Sequence, residues 1–310
     1  LEQSKKTRLR LMVAYHNMFY TPVYVAVAGG FFYAEGLDVM FSVMPDGESS
    51  IDMLRSERVD VIQTGISRTF MDLDEDKRDA PLHIAEINQG DGFYLISNKP
   101  TDGWSWNDLE GSSIIPIGFT PVPTTSLKSA MRLHGIDASK VQLIEGMSAG
   151  DALAAFGAGE ADYIQMPHPF AQQLINDGVG HMATAVGVEL GYICYSSLAA
   201  MPAFIEANTE LLQKFVNGFY KAQLWLAENS PSQVAERVSS FFPDVPSEVL
   251  AEGIRLYQEQ GTWATDPMIG QDGFDSMLTI LIDSGLVQGR HAYDKVVQPK
   301  FARAAMAGEK

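Results

Sequence analysis

At 310 residues, with 46% hydrophobic and 20% charged residues, the chain has apolar material for two cores of moderate size and no low-complexity tract. Its 39 acidic against 22 basic residues leave a formal charge of −17, which repels phosphate backbones and anionic membrane surfaces and argues against nucleic acid or lipid as partners. The single cysteine, Cys194, excludes an internal disulfide and a cysteine-built metal cluster, and its apolar surroundings read as a buried inert thiol.

The first eight residues carry no leader-like run, which fits a cytoplasmic chain and a mature exported chain equally. Residues 8–15 then read as a strand and 23–28 as a helix, and Glu35-Gly36-Leu37-Asp38 leads into a strand over 39–44. The segment SSIDMLRSERVDVIQ (49–63) reads as an amphipathic helix, a tight turn and a short apolar strand.

From about Trp104 the same plan starts again. Residues 113–117 read as a strand, 124–133 as a helix, and His134-Gly135-Ile136-Asp137 leads toward a strand over 141–144. DALAAFGAGEADYIQ (151–165) aligns without a gap on 49–63, with Leu153 on Ile51, Phe156 on Leu54, and DYIQ on DVIQ. Gly36 and Gly135 stand at matching helix ends, where a left-handed residue is needed. The order strand, helix, strand, helix, strand in each copy predicts parallel crossovers. Two similar α/β lobes follow, each a mostly parallel sheet flanked by helices, with a cleft between them.

Residues 192–200 read as a further strand, followed by helices over 210–227, 231–241, 247–261 and 271–284 with no third copy of the plan. These helices are expected to wrap back onto the first lobe. Lobe one would then comprise 1–90 and 193–310 and lobe two 91–192, with crossings near 88–92 and 191–195. Trp104 and Trp106 are expected at the surface or the lobe junction, and Trp225 and Trp263 in the core.

In open parallel sheets, ligands gather at the carboxyl ends of strands, beside helix N-termini. The first lobe offers His16, Asn17, Phe19 and Tyr20 in one loop, Gly47 and Ser49 in the next, then Ser67 and Arg68. The second offers Phe119, Thr120, Thr124 and Thr125, then Gln165 and His168, while Gln89 and Tyr192 lie on the crossings. The hydroxyls can join free helix N–H groups in holding an anionic or carbonyl oxygen, or they can simply cap the helices. Arg68 is the strong cation of the set and can pair with a carboxylate or sulfonate, or with the acidic run 72–76 nearby. Phe19, Tyr20 and Phe119 offer flat faces to a ring. No cofactor and no metal site is expected, since no HExxH, Walker A or GxGxxG pattern occurs.

One motif argues for catalysis. Gly146-Met-Ser-Ala-Gly150 fits G-x-S-x-G between a strand and a helix, as a nucleophile elbow does. No HGGG-type segment precedes it, and the equivalent loop 45–50 has no such pattern, so Ser148 is read as a helix start. A hydrolase using Ser148 with His168 or His181 stands as the alternative.

Four segments resemble a large family of periplasmic solute-binding proteins, the NMT1/THI5-like receptors for sulfonates, taurine, nitrate and thiamine-pyrimidine precursors. They are YTPVYVAVAGGFFYAEGLDV (20–39), WNDLEG (106–111), ALAAFGAGEAD (152–162) and KAQLWLAEN (221–229). The resemblance implies a type II periplasmic-binding fold that closes on its ligand and delivers it to the membrane permease of an ABC importer. It also implies a periplasmic or extracytoplasmic location and a monomer that is not an enzyme. For the ligand it leaves an aromatic or heterocyclic compound, such as a thiamine-pyrimidine precursor, beside an organosulfonate. Pyrimidine synthases of the same fold use a cysteine- and histidine-rich iron site, for which one cysteine is too few.

Overall fold

A computed structural model describes residues 6–77, 79–117 and 120–308. Among these described residues, ten strands form two five-stranded sheets of the same design. The first contains β1 (Thr7–Val13), β2 (Leu37–Val43), β3 (Val61–Gly65), β4 (Leu82–Asn88) and β10 (Ser196–Ala200), in the order β2-β1-β3-β10-β4. The second contains β5 (Phe93–Ser97), β6 (Ser113–Ile115), β7 (Gln142–Leu143), β8 (Tyr163–Pro167) and β9 (His181–Ala185), in the order β7-β6-β8-β5-β9.

Both sheets are mixed. The strands of each copy pair in parallel, while the strand arriving from the other lobe, β10 or β5, is inserted antiparallel. The chain passes between the sheets after β4 and again before β10, so two short crossings, 89–92 and 191–195, join the lobes.

The DxIQ repeat has a physical reason. Asp60 accepts a hydrogen bond from the backbone N–H of Arg10 at 2.7 Å, and Asp162 from that of Ser113 at 3.0 Å. Each aspartate therefore ties the start of the copy's last strand to its first. At the far end, Gln63 accepts from the N–H of Ala14 and Gln165 donates to the carbonyl of Pro123. Gly36 (φ +86°) and Gly135 (φ +73°) take the left-handed turn their position demands.

Both faces of the first sheet are covered. Leu9, Leu11 and Val13 of β1 enter the main core, whereas Met12 joins a smaller one with Met53, Leu54 and Ile62. Among the helices after β10, Phe215 of Thr209–Glu228 stacks on Phe32 with centroids 4.7 Å apart and Phe274 of Gln271–Asp283 meets Phe70, both in the first lobe, while Ser247–Gln260 and Gln271–Asp283 also touch Phe170–Asn176 and Pro121–Leu133 of the second. Burying each such ring is worth about 1.5–3 kcal/mol.

One expectation is corrected. Trp106 lies in the core of the second lobe with Leu127, Met131 and Tyr163, stacked on His134 at 4.8 Å. Trp104 packs against it and donates to the hydroxyl of Tyr163. The polar residues around these tryptophans disguised an anchoring role.

Candidate functional site: the cleft between the lobes

A cavity of about 180 Å³ lies between the lobes, where the carboxyl ends of β1 and β3 meet the start of the helix Pro121–Leu133. Three helix N-termini supply much of its wall. Ser49 and Ser50 open the helix Ser50–Arg55, Ser67 and Arg68 open Ser67–Asp74, and Thr120 caps Pro121–Leu133. Free N–H groups and the positive ends of helix dipoles make such a place favourable for a negative oxygen. Ser49 and Thr120 also cap their helices, accepting from Asp52 N at 3.4 Å and Val122 N at 3.2 Å.

The charges at the wall are unbalanced in the same direction. Glu48, the carboxylate of the lining, is held by both guanidinium nitrogens of Arg58 at 2.9 Å. Arg68 is exposed into the cleft, and among the described residues it makes no ion pair. Three of the four acids in the run that could have taken it are held by other partners. Asp72 binds Arg55 at 2.6 Å and Lys77 at 3.1 Å, Asp74 binds His291 and the N–H of Gln288, and Glu75 binds Lys77. Arg68 lies close enough to Tyr15 to oppose the effect of burial on that phenol.

Part of the remaining wall is aromatic. Tyr20, Phe93 and Tyr195 line the cavity around the buried ring of Phe19, which lies 5.3–5.8 Å from each of them. Burial raises the phenols of Tyr20 and Tyr195 far above their ordinary value, so both stay neutral hydroxyls.

Of the sequence-predicted residues, the structure brings Tyr20, Ser49, Ser67, Arg68 and Thr120 to this cavity. Phe119 lies outside the described residues. The others are placed elsewhere, each for a physical reason. His16 stacks on Phe242 and bonds the carbonyl of Phe241 at 2.7 Å and the hydroxyl of Tyr24 at 3.1 Å. Asn17 is buried and accepts from Phe19 N. The ring of Phe19 is core, its carbonyl fixed by Asn88 and Trp263. Gly47 is the left-handed residue of the turn closed by Glu48 N and Pro45 O.

Thr124 and Thr125 face a wider, more open groove of about 760 Å³ between the helix Pro121–Leu133 and residues 283–286, which shares Thr120 with the cleft. That groove is larger and is lined by residues just after β6 and β7, whereas the smaller cavity gathers the ends of β1, β2 and β3 with Arg68 and faces Thr120 and Val122 of the second lobe, which makes it the candidate ligand site. Gln165 stands behind the wall, donating to Pro123. His168 is buried against Tyr94 and Tyr257, and burial pushes its ring down to about 3, leaving it neutral. Gln89 turns to the rear and donates to Gly261 O, while Tyr192 is engaged by Glu86 and the N–H of Gly270.

Tyr15, Gln63, Phe93, Tyr195 and Ser196 also line the cavity and were not among the expected residues, whereas Thr64 opens the loop 64–68 expected there. Gln63 and Thr64 sit where β3 ends, a signal the DxIQ repeat already carried. Phe93 and Tyr195 come from the margins of the crossings, whose facing direction no periodicity reveals.

Ser148 is the N-cap of the helix Ala149–Gly157, bonded to Asp151 N and Asp151 Oδ2, and it does not line the cleft. Cys194 is fully buried, its thiol raised by burial and by Glu86.

The two mixed α/β sheets joined by two crossings, with the cleft between them, are the architecture of the periplasmic solute-binding proteins. Residues 17–233 match the family described as NMT1/THI5 like, and the chain belongs to that family. It is 25% identical over 302 residues to a protein of Bacillus subtilis (strain 168) named as a binding protein, YtlA, covering 97% of this chain and 90% of that one. The periplasmic aliphatic sulphonate binding protein SsuA from Escherichia coli shares the fold at a TM-score of 0.74, with 16% identity over 94% of this chain and 92% of its own. The desulfurization enzyme DSZB also shares it, at a TM-score of 0.72 and 13% identity over 98% of this chain and 100% of its own. No helix among the described residues is long and apolar enough to cross a membrane.

Proposed function

We propose that the chain is the extracytoplasmic receptor of an ABC importer, capturing a small organic anion that carries a ring or a compact apolar group. The observation that carries this reading is the convergence of three helix N-termini and Arg68, which makes no ion pair among the described residues, on one cavity also lined by Tyr20, Phe93 and Tyr195. Arg68 and the helix ends would hold a sulfonate or carboxylate, and the aromatic wall the body of the molecule. An organosulfonate fits that division of labour, and the sulphonate-binding SsuA shares the fold. A thiamine-pyrimidine precursor would use the aromatic wall alone. Capture would draw the lobes together about the two crossings, and the closed form would be the one presented to the permease.

A catalytic reading on the same fold would need a nucleophile or base at the cleft. Ser148 is spent as a cap, Cys194 is buried against Glu86, and neither lines the cavity, which favours the receptor. A thermal-shift series against aliphatic and aromatic sulfonates, nitrate and thiamine pyrimidines tests the reading. A ligand at a hundred times its dissociation constant stabilises the fold by about 2.7 kcal/mol. Stabilisation by a sulfonate that is recovered unaltered supports the reading, and chemical consumption of the ligand overturns it.

A further inference from the structure

Asp91 lies on the first crossing, next but one to Gln89, whose carbonyl accepts from the N–H of Ile193 on the second. Asp91 is fully buried, its Oδ1 accepts from the N–H of Phe93 at 2.8 Å, and its backbone carbonyl accepts from Gln260 of the helix Ser247–Gln260 at 2.8 Å. Gly187, just before the second crossing, packs on it so closely that a Cβ there would stand 2.2 Å from the Asp91 carbonyl oxygen. The second oxygen, Oδ2, is buried and has no formed hydrogen bond among the described residues. The same holds for the hydroxyls of Tyr195 on the second crossing and Ser126 on the helix Pro121–Leu133. The hydroxyls of Ser126 and Tyr195 lie close enough to Asp91 to hold its carboxyl down against the effect of burial.

We propose that Asp91 is the positioning residue of the hinge: its carboxyl ties Tyr195 on one crossing to Ser126 in the second lobe and so sets how far the cleft closes. The inference rests on the two-lobe closure proposed above, but not on the ligand. Tyr195 lines the cleft, so a carboxyl that locks its hydroxyl also fixes one wall of the ligand site.

The charge around Asp91 makes this contact sensitive to protons. Among the described residues the titratable groups that respond to its charge are Tyr94 from β5, Tyr195 from the second crossing and Tyr257 from the helix Ser247–Gln260, all raised by burial, and none of these is a cation. Burial accordingly pushes Asp91 up to about 7. A neutral carboxyl can donate to one neighbouring oxygen and accept from another, which closes the network. An ionised one is stranded in a dry site and gains from any opening that admits water.

The test uses the full chain without ligand, spin-labelled through Ala158→Cys in the second lobe and Ala207→Cys in the first, both at exposed positions. Electron–electron distance distributions are recorded from pH 4.5 to 8.5. The short-distance population should fall with rising pH through a single midpoint near neutrality. In Asp91→Asn that midpoint should vanish. Ser126→Ala and Tyr195→Phe each remove a hydroxyl that favours the ionised form, so each should move the midpoint to higher pH. A midpoint that persists in Asp91→Asn, or is absent from the wild type, overturns the proposal. If Asp91→Asn does not fold, an unchanged or lowered midpoint in the two hydroxyl variants does so. Because no ligand is added, the result stands apart from the success or failure of the receptor reading.

Discussion

Arg132, on the helix Pro121–Leu133 of the second lobe, meets Asp283, at the end of the helix Gln271–Asp283, with 3.2 Å between Nη2 and Oδ2. The second of these helices packs on the first lobe, so the pair spans the groove beside the cleft. Both side chains are about half exposed, at 54% and 47%. Solvent screening then holds the pair to under about 1 kcal/mol, falling with salt. Arg132→Ala should leave the melting temperature nearly unchanged and raise the rate of ligand release a few-fold at low salt. Stopped-flow release in the double-mutant cycle with Asp283→Ala checks this. Fully additive effects would show that the two residues do not act together.

Arg68 should matter for binding and hardly at all for folding. It is exposed, and among the described residues no carboxylate holds it, so Arg68→Ala should change stability by less than about 0.5 kcal/mol. Truncating one partner of a desolvated charge pair costs about 2–5 kcal/mol, so affinity for an anionic ligand should fall by at least thirtyfold or so. Titration calorimetry on wild type and variant decides it. Equal affinities would take Arg68 out of the ligand site.

The first crossing depends on a glycine. A Cβ at Gly92 would fall 2.3 Å from two carbons of the Phe19 ring, which is wedged among Tyr20, Phe93, Tyr195 and Tyr257 and cannot retreat. Gly92→Ala should destabilise by about 1–3 kcal/mol, the usual cost of overpacking. Urea unfolding measures the loss, and Phe19→Leu in the same chain should recover part of it. Full stability in the single variant would mean that the crossing has room to shift.

Stability should vary with pH in a way that names its residues. Burial raises Glu86 from 4.5 to about 8, against the opposing hydrogen bond from Tyr192. Between those values the native state keeps a proton the unfolded chain has released, so stability falls as pH rises. His83 and His168, lowered by burial from 6.5 to about 3, do the reverse and add stability as pH rises across that window. The two effects oppose each other between pH 4.5 and 6.5. Asp91 contributes up to about 7, and beyond that Glu86 alone remains of these groups. Glu86→Gln should flatten the decline between pH 7 and 8, at most about 1.4 kcal/mol per pH unit. Urea midpoints across that interval check it, and an unaltered decline would assign it to other groups.

How far the sequence reached is clearest at the repeat. The DxIQ segments and the paired glycines, Gly36 and Gly135, set out the strand–helix plan of both sheets because the contact from the aspartate to the first strand recurs, while the two glutamines find different partners. What the sequence did not show was the antiparallel insertion of β5 and β10, since each pairs with a strand distant in the chain. The site divided along the same line. Ser49, Ser67, Arg68 and Thr120 were readable because helix starts at strand ends point to one place. His16 and His168 are polar residues at suitable loop positions whose partners, Phe241 and Tyr257, appear only in three dimensions, while Asn17 caps the turn that follows it by accepting from Phe19 N.

The most direct test of the receptor reading is native mass spectrometry of wild type and Arg68→Ala after incubation with an equimolar panel of sulfonates, carboxylates and heterocycles. The account predicts one anionic compound held one-to-one by the wild type at unchanged mass and lost from Arg68→Ala. A compound returned chemically altered, or one retained equally by both proteins, would contradict it.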